Sequence, residues 1–317
     1  MTALRQMPAP SETEATAPAR DWIRVLARYR EPVVSRSLFE IAVTALPFVL
    51  LWIASYQAYL VSFWLSLPVS AVAAFFLVRL FLIQHDCGHM AFFPGKRAND
   101  WLGRILGVVT VTPYELWKKN HAEHHGASGN LDRRGTGDLL TLTVREYRAR
   151  GIWGRLAYRA YRHPITLFAI GPVYVYIFEN RLPFGYMRER RYWISAMGTN
   201  LAMLGVGGAI SWTIGVVAFL AVFLPVTLIA AAIGIWLFYV QHQFEETHWD
   251  AQEDWQVHEA ALHGSSHYVL PQPLKWLTAN IGIHHVHHLY SRIPFYRLDE
   301  VLRDHPELGE MSRLTLR

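Results

Sequence analysis

Three short stretches concentrate histidine: His85-Asp86-Cys87-Gly88-His89, His121-Ala122-Glu123-His124-His125 and His284-His285-Val286-His287-His288. A helical turn takes about 3.6 residues, so side chains three or four positions apart leave a helix on the same side. His85 and His89, then His121, His124 and His125, then His284, His287 and His288 can therefore each aim two or three imidazoles in one direction. His285 lies about 100° round from His284 by the same geometry and is expected to support its neighbours or hydrogen-bond. One such pair alone is ordinarily surface or core packing. Three groups together are different, because crowded imidazoles repel one another when protonated and leave nitrogens unpaired when neutral. Metal ions remove both problems. Eight or more histidines point to two metals, each with an open position, and the single cysteine, Cys87, leaves no thiolate set for a structural zinc. Imidazole suits iron as well as zinc and copper. Asp86, Glu123, Asp138, Glu245 and Glu246 lie close enough in sequence to orient the ligands.

The elements that must carry these groups are apolar. The 317 residues are 52% hydrophobic, too apolar for an ordinary soluble domain. Apolar runs at about 38–56 and 61–84, parted by Gln57-Ala58, and at 192–210 and 216–240, parted by residues 211–215, are each long enough for a hydrocarbon core of about 30 Å. The expected fold is an all-α integral membrane protein with four transmembrane helices in two hairpins, one domain over residues 21–317. Residues 1–20 are rich in Ala, Pro, Thr and Glu and read as a flexible tail without a secretory signal. Residues 22–36 read as a basic amphipathic approach to the membrane. The apolar interludes at 102–111 and 139–144 are too short to cross and read as interfacial or half-buried helices. Residues 164–178, with Pro172 inside, read as re-entrant or interfacial. Arg79, six residues before His85, must snorkel or pair inside the protein.

The net charge of +5 does not form one basic domain that would indicate nucleic acid; Lys and Arg flank the apolar runs instead. The two short turns carry none, so the positive-inside rule places the tail, the middle segment and the C-terminal segment in the cytoplasm. All three histidine groups then fall on that one face, as a cytoplasmic cap, by reasoning that uses none of the histidines.

In this order and setting, HDCGH, HAEHH and HHVHH resemble the three histidine boxes of the membrane fatty acid desaturase superfamily. HAEHHGASGNLDRRGTGD, YVQHQFEETHW and GIHHVHHLYSRIP are similar in particular to bacterial acyl-lipid desaturases, and the likeness covers about residues 38–300. The resemblance implies a non-haem centre of two iron ions with all-nitrogen coordination, held by His85, His89, His121, His124, His125, His284, His287 and His288. A further family histidine corresponds to His242, with Asp86, Glu123, Asp138, Glu245 and His285 around the ligands. His248, His258, His263 and His267 are expected at the surface or behind the ligands, and His163 and His305 have no supporting context. A relative's asparagine one turn before the extra histidine is replaced here by Phe238, so its role is not transferred. The implied activity is oxygen-dependent formation of a cis double bond in a lipid-linked acyl chain, with O₂ as co-substrate. An apolar tunnel would hold the acyl chain. No haem, flavin or iron–sulfur motif is visible, so electrons are expected from a ferredoxin or a b-type cytochrome, to which the basic face is suited. The implied location is the bacterial inner membrane, with both termini cytoplasmic. Two other readings compete: a hydroxylase of the same superfamily, and a non-enzymatic metal-binding or metal-transport membrane protein.

Overall fold

The computed structural model describes residues 19–135 and 139–316; of the tail expected over residues 1–20, residues 1–18 lie outside the described residues, as does Asp138 with its expected orienting role, while Ala19 and Arg20 already belong to the first helix. A short helix, α1 (Ala19–Leu26), and a 3₁₀ turn (Ala27–Tyr29) lead to α2 (Val34–Val61) and α3 (Phe63–Gly88). The helices α2 and α3, with two later ones, are the four described helices long and apolar enough to cross a membrane. Gln57 and Ala58 do not break the chain as expected: both favour a helix well enough, and the helix runs on to Val61. The break is Ser62 alone, extended at φ −164°, whose hydroxyl accepts the Trp64 amide at 3.3 Å. The first span also starts earlier than its apolar run, because Val34 to Ser37 continue the helix outward.

Polar side chains inside these spans are matched to one another. Ser70 donates to Ser55 at 3.3 Å. Arg79, fully buried, pairs with buried Glu40 of α2 and donates to Thr44 at 3.0 Å. It therefore pairs inside the protein and does not snorkel. The apolar window of α3 is 56% buried against 17% for α2, which makes α3 the central helix.

After α3 come α4 (Lys96–Val109) and α5 (Tyr114–His125). Residues 139–143 are not helical, contrary to expectation; Thr143 instead caps α6 (Val144–Ala149), its hydroxyl and amide both engaged by Glu146. The next helix is α7 (Ile152–Tyr161). Residues 166–181 then form a π turn (Thr166–Ile170), one turn α8 (Gly171–Val173), a second π turn (Tyr174–Phe178) and a 3₁₀ turn (Glu179–Arg181). Phe168 packs on Trp236 and Tyr239, with ring centroids 5.4 and 5.7 Å apart, while Ile170, Tyr174 and Phe178 are exposed.

The second long pair is α9 (Arg190–Ile214) and α10 (Val216–His242). Only Gly215 separates them, at φ 87° and ψ 145°, a conformation that a residue with a side chain rarely adopts. Beyond α10 the chain builds a cap from α11 (Val257–His263), α12 (Gln272–Leu277), α13 (His284–Leu289), α14 (Leu298–Asp304) and α15 (Pro306–Gly309). Within it the two-residue strands β1 (His267–Tyr268) and β2 (Arg313–Leu314) pair in parallel, His267 with Arg313 and Tyr268 with Leu314. The first helix closes over this cap: Trp22 meets His305 edge to face at 5.2 Å, and Tyr29 donates to Asp304 at 2.7 Å.

Candidate metal centre

The three boxes and the end of α10 meet because each helix end is tied to the next. Tyr114 donates to the Cys87 carbonyl at 2.9 Å, joining the first turn of α5 to the last turn of α3. Gln84 spans the same junction, accepting from Thr110 at 2.6 Å and donating to the Thr112 carbonyl at 3.3 Å. At the other side, Gln241 donates to the Ile281 carbonyl at 3.0 Å, and the Ser266 carbonyl accepts the His284 and His285 amides at 3.2 and 3.3 Å. These bonds seat the start of α13 against the end of α10.

Nine histidines converge in two groups, each with its donor nitrogens within 4.8 Å of one another: His85, His89, His121, His125 and His287, and His124, His242, His284 and His288. In the first, His121 Nε2 lies 3.0 Å from His89 Nε2 and 3.1 Å from His125 Nε2, and His125 Nε2 lies 3.2 Å from His287 Nε2. In the second, His242 Nε2 lies 2.9 Å from His284 Nε2 and 3.1 Å from His124 Nε2. The boxes do not each aim one way. On α5, His121 and His125 are only about 40° apart and turn to the first group, while His124 stands about 100° from His125 and turns to the second. On α13 the split is reversed, with His284 and His288 in the second group and His287 in the first.

Hydrogen bonds behind the rings fix several tautomers. His242 Nδ1 faces the Gly264 carbonyl at 3.3 Å, and a carbonyl only accepts, so that nitrogen carries the proton and Nε2 presents a bare lone pair to the group. His85 Nδ1 faces Asp86 at 3.4 Å, and the other Asp86 oxygen accepts the Phe295 amide at 2.7 Å, linking box one to the loop after box three. His285 stays out of both groups and donates from Nε2 to the Leu308 carbonyl at 2.8 Å; His267, packed 5.5 Å from it, bonds the Gly309 carbonyl at 2.6 Å. Outside the spans, burial first and neighbouring histidines second hold His89, His121, His125, His284, His287 and His288 well below the usual histidine pKa. Buried and half-buried neutral imidazoles with nitrogens this close to one another fit a cation site in each group.

Other expected residues stand elsewhere. Glu123 turns from the histidines to bond the Tyr186 hydroxyl at 2.6 Å and Lys119 at 2.7 Å, since its position on α5 faces outward between His121 and His125. Glu245 and Glu246 are exposed, because buried Phe244 takes the inward position just after α10. His248 pairs with Asp250 and His263 with Glu259, both away from the groups, and His163 is exposed. His305 has a context after all, in the contact with α1.

The sequence profile of the fatty acid desaturase family matches residues 62–317, which include all nine histidines. The chain belongs to the fatty acid desaturase family. It is 43% identical to a protein of Bacillus subtilis named fatty acid desaturase, over 92% of this chain and 83% of that one. It is 27% identical to an sn-1 acyl-lipid omega-3 desaturase (ferredoxin) of Synechocystis, over 74% of this chain and 66% of that one. An sn-1 oleoyl-lipid 12-desaturase of Anabaena variabilis is 26% identical, over 74% of this chain and 67% of its own length.

Two further features of this desaturase-family chain bear on the site. Phe238 packs on both His124 and His242, with ring centroids 5.0 and 5.1 Å apart, and so closes one flank of the four-histidine group with an apolar ring. A cavity lies between α3, α10 and the π-turn segment, lined by Leu77, Phe81, Tyr176, Thr227, Ala230 and Gly234. Phe81 meets Trp117 edge to face at 5.3 Å, and Trp117 stacks on His121, so two ring contacts connect the cavity wall to the first histidine group. Trp117 was not evident among the chemistry-bearing residues; its place one turn before His121 is the signal that would have found it. Gly88 makes room for that indole, since a Cβ there would lie 2.8 Å from its ring.

Proposed function

We propose that this chain is an oxygen-dependent acyl desaturase that introduces a cis double bond into an acyl chain carried on a membrane lipid. The observation that carries this reading is the pair of histidine groups, five and four strong, at the end of an apolar bundle. The nine histidines named above would hold two iron ions through their bare nitrogens. When bound and reduced, such a centre supplies O₂-dependent oxidising power that no side-chain acid or base can match against an unactivated CH₂. The protein's own part is positional. Asp86, the Gly264 carbonyl and the Leu308 carbonyl hold the ring and backbone orientations, and burial keeps the imidazoles neutral. The cavity beside Phe81 and Trp117 would receive the acyl chain, exclude water and hold one carbon pair near the histidines.

The relatives' names support lipid-linked acyl chains as substrate and a ferredoxin as electron donor; a b-type cytochrome would do the same electron chemistry. The charge pattern supports the arrangement of α2 with α3 and α9 with α10 as two hairpins in one unit over residues 21–317. It likewise supports a cytoplasmic cap and cytoplasmic termini, in a bacterial inner membrane. The transport reading is disfavoured because the charges Glu40 and Arg79 within the spans are buried and neutralise each other. Expression in a host with saturated lipids, followed by gas chromatography and mass spectrometry of its acyl chains, tests the proposal. New double bonds are expected. Hydroxylated chains without double bonds would move the assignment to a hydroxylase, and zinc-loaded protein without oxygen consumption to a metal-binding protein.

A further inference from the structure

The arm that joins the two halves of the molecule carries an unexplained set of donors. Between Val144 and Arg162 there are six arginines and one acid, Glu146. Val144 and Trp153 on this arm are 65% and 80% exposed, which in a membrane protein places α6 and α7 at the level where apolar side chains meet lipid and arginines meet headgroups. The side chains that turn inward from this arm and from the loop before it are poorly matched. Arg162 donates from one Nη to the Gln243 side chain at 2.9 Å and lies 5.4 Å over the Tyr239 ring; its other Nη is shielded and has no acceptor among the described residues. Arg134 gives one Nη to Glu146, and its second Nη is likewise shielded and without a partner among the described residues. The Tyr147 hydroxyl is a third such donor, and its ring lies 5.9 Å from Tyr158 and beneath Arg159.

Shielded donors are nearly always satisfied in folded proteins, and three of them without a partner among the described residues, around one interfacial arm, suit an acceptor-rich partner. The site has a fixed relation to the chemistry. Gln243, which also accepts from Thr141 at 3.1 Å, directly follows His242 of the four-histidine group.

We propose that Arg134, Arg162 and Tyr147 form a binding site for the phosphodiester of an acyl glycerophospholipid. The phosphate oxygens take up the three unmatched donors, and the lipid's acyl chain enters the bundle beside them. This rests on the desaturase reading and sharpens it, because the carrier becomes a phospholipid in place of a thioester or a neutral glycerolipid. Glu146 neutralises only one of the two arginines, which leaves one net positive charge for a phosphodiester monoanion.

Purified full-length protein, delipidated in detergent, tests the site with two probes of identical acyl chains, phosphatidylglycerol and diacylglycerol, with retention read by native mass spectrometry. Wild-type protein is expected to retain phosphatidylglycerol in preference to diacylglycerol. Arg162→Gln combined with Tyr147→Phe is expected to weaken phosphatidylglycerol about ten- to a hundredfold and leave diacylglycerol unchanged, as befits lost bonds to a charged group. Tyr147→Phe alone removes a hydroxyl that no protein group uses, so it separates ligand binding from folding; an unchanged affinity in that variant overturns the tyrosine's part. Equal retention of both probes, or displacement of phosphatidylglycerol by inorganic phosphate at equal concentration, overturns the lipid site. Slower reduction by an acidic ferredoxin with unaltered lipid retention also overturns it and makes the arm a donor-docking surface. Retention that depends on Arg162 in a protein that makes no double bonds would leave the site standing and sink the desaturase reading instead.

Discussion

The indole of Trp117 lies almost parallel to the imidazole of His121, with ring centroids 4.7 Å apart and an interplanar angle of 16°. The same indole touches Phe81 in the wall of the bundle cavity, so one side chain both stacks on a histidine of the five-membered group and backs a wall of the space where an acyl chain would lie. Trp117→Leu is expected to weaken metal affinity roughly ten- to a hundredfold, as for other groups that orient ligands. It should also broaden the distribution of double-bond positions. Metal titration and mass spectrometry of the product chains check the two effects; unchanged values in both would refute this role.

The division of the histidines gives an asymmetric expectation for metal content. His287→Ala breaks the five-histidine group and leaves the four-histidine group whole, so bound metal should fall from about two ions per chain to about one, and activity should vanish. His305→Ala should keep both ions and lose about 1 kcal/mol of stability with its edge-to-face contact to Trp22. Elemental analysis of the purified variants distinguishes them, and full activity in His287→Ala would overturn the ligand assignment.

Glu40 and Arg79 are each about 1% exposed and balance one another inside the bundle. Glu40→Ala leaves the guanidinium buried without its partner and should cost about 3–5 kcal/mol, read by unfolding in detergent. The double change Glu40→Leu with Arg79→Met should recover most of that loss, since neither charge then remains to be matched. A double variant as unstable as the single one would show that the pair matters for something other than charge balance.

The arm responds to acid in a predictable direction. The hydrogen bond from Arg134, and then the Thr143 amide, hold Glu146 down to about pH 2, below the usual carboxylate range near 4.3. A depressed folded-state value means that its stabilising effect is present above the unfolded value and is lost as pH falls through about 2. Pepsin digestion should therefore find residues 139–149 progressively more susceptible between about pH 4 and 2. Glu146→Gln should be susceptible throughout that window, and identical cleavage of both proteins would exclude the capping role.

Much of this organisation was legible because its signals are local. Apolar run length located all four spans, and spacing of three and four residues located the ligand candidates of the three boxes, whereas His242 came only from the resemblance to the family. What spacing did not show is which imidazoles fall in the same group. That depends on how α3, α5, α10 and α13 converge, and their convergence sends His124 away from His125 and His287 away from His288. Glu123 and Glu245 were misplaced for a related reason, since nearness in sequence does not determine which way a carboxylate turns. The turn at Ser62 was hidden because Gln57 and Ala58 look polar or small beside their neighbours yet propagate a helix without cost.

Arg79 finally bears on how a carbon could be selected in a chain of identical CH₂ groups. Its guanidinium grips Glu40 and Thr44 within the spans, donates to the Trp276 carbonyl of the cap, and lies 4.1 Å over the Trp276 ring and 5.2 Å over that of Phe295. Phe295 in turn is bonded to Asp86 beside His85. One cation thereby ties the spans to the cap that carries the third histidine box. In the proposed desaturase, such a strut would hold the histidine groups at one level along the bundle, so that a carbon would be chosen by its distance from that level and by no feature of its own.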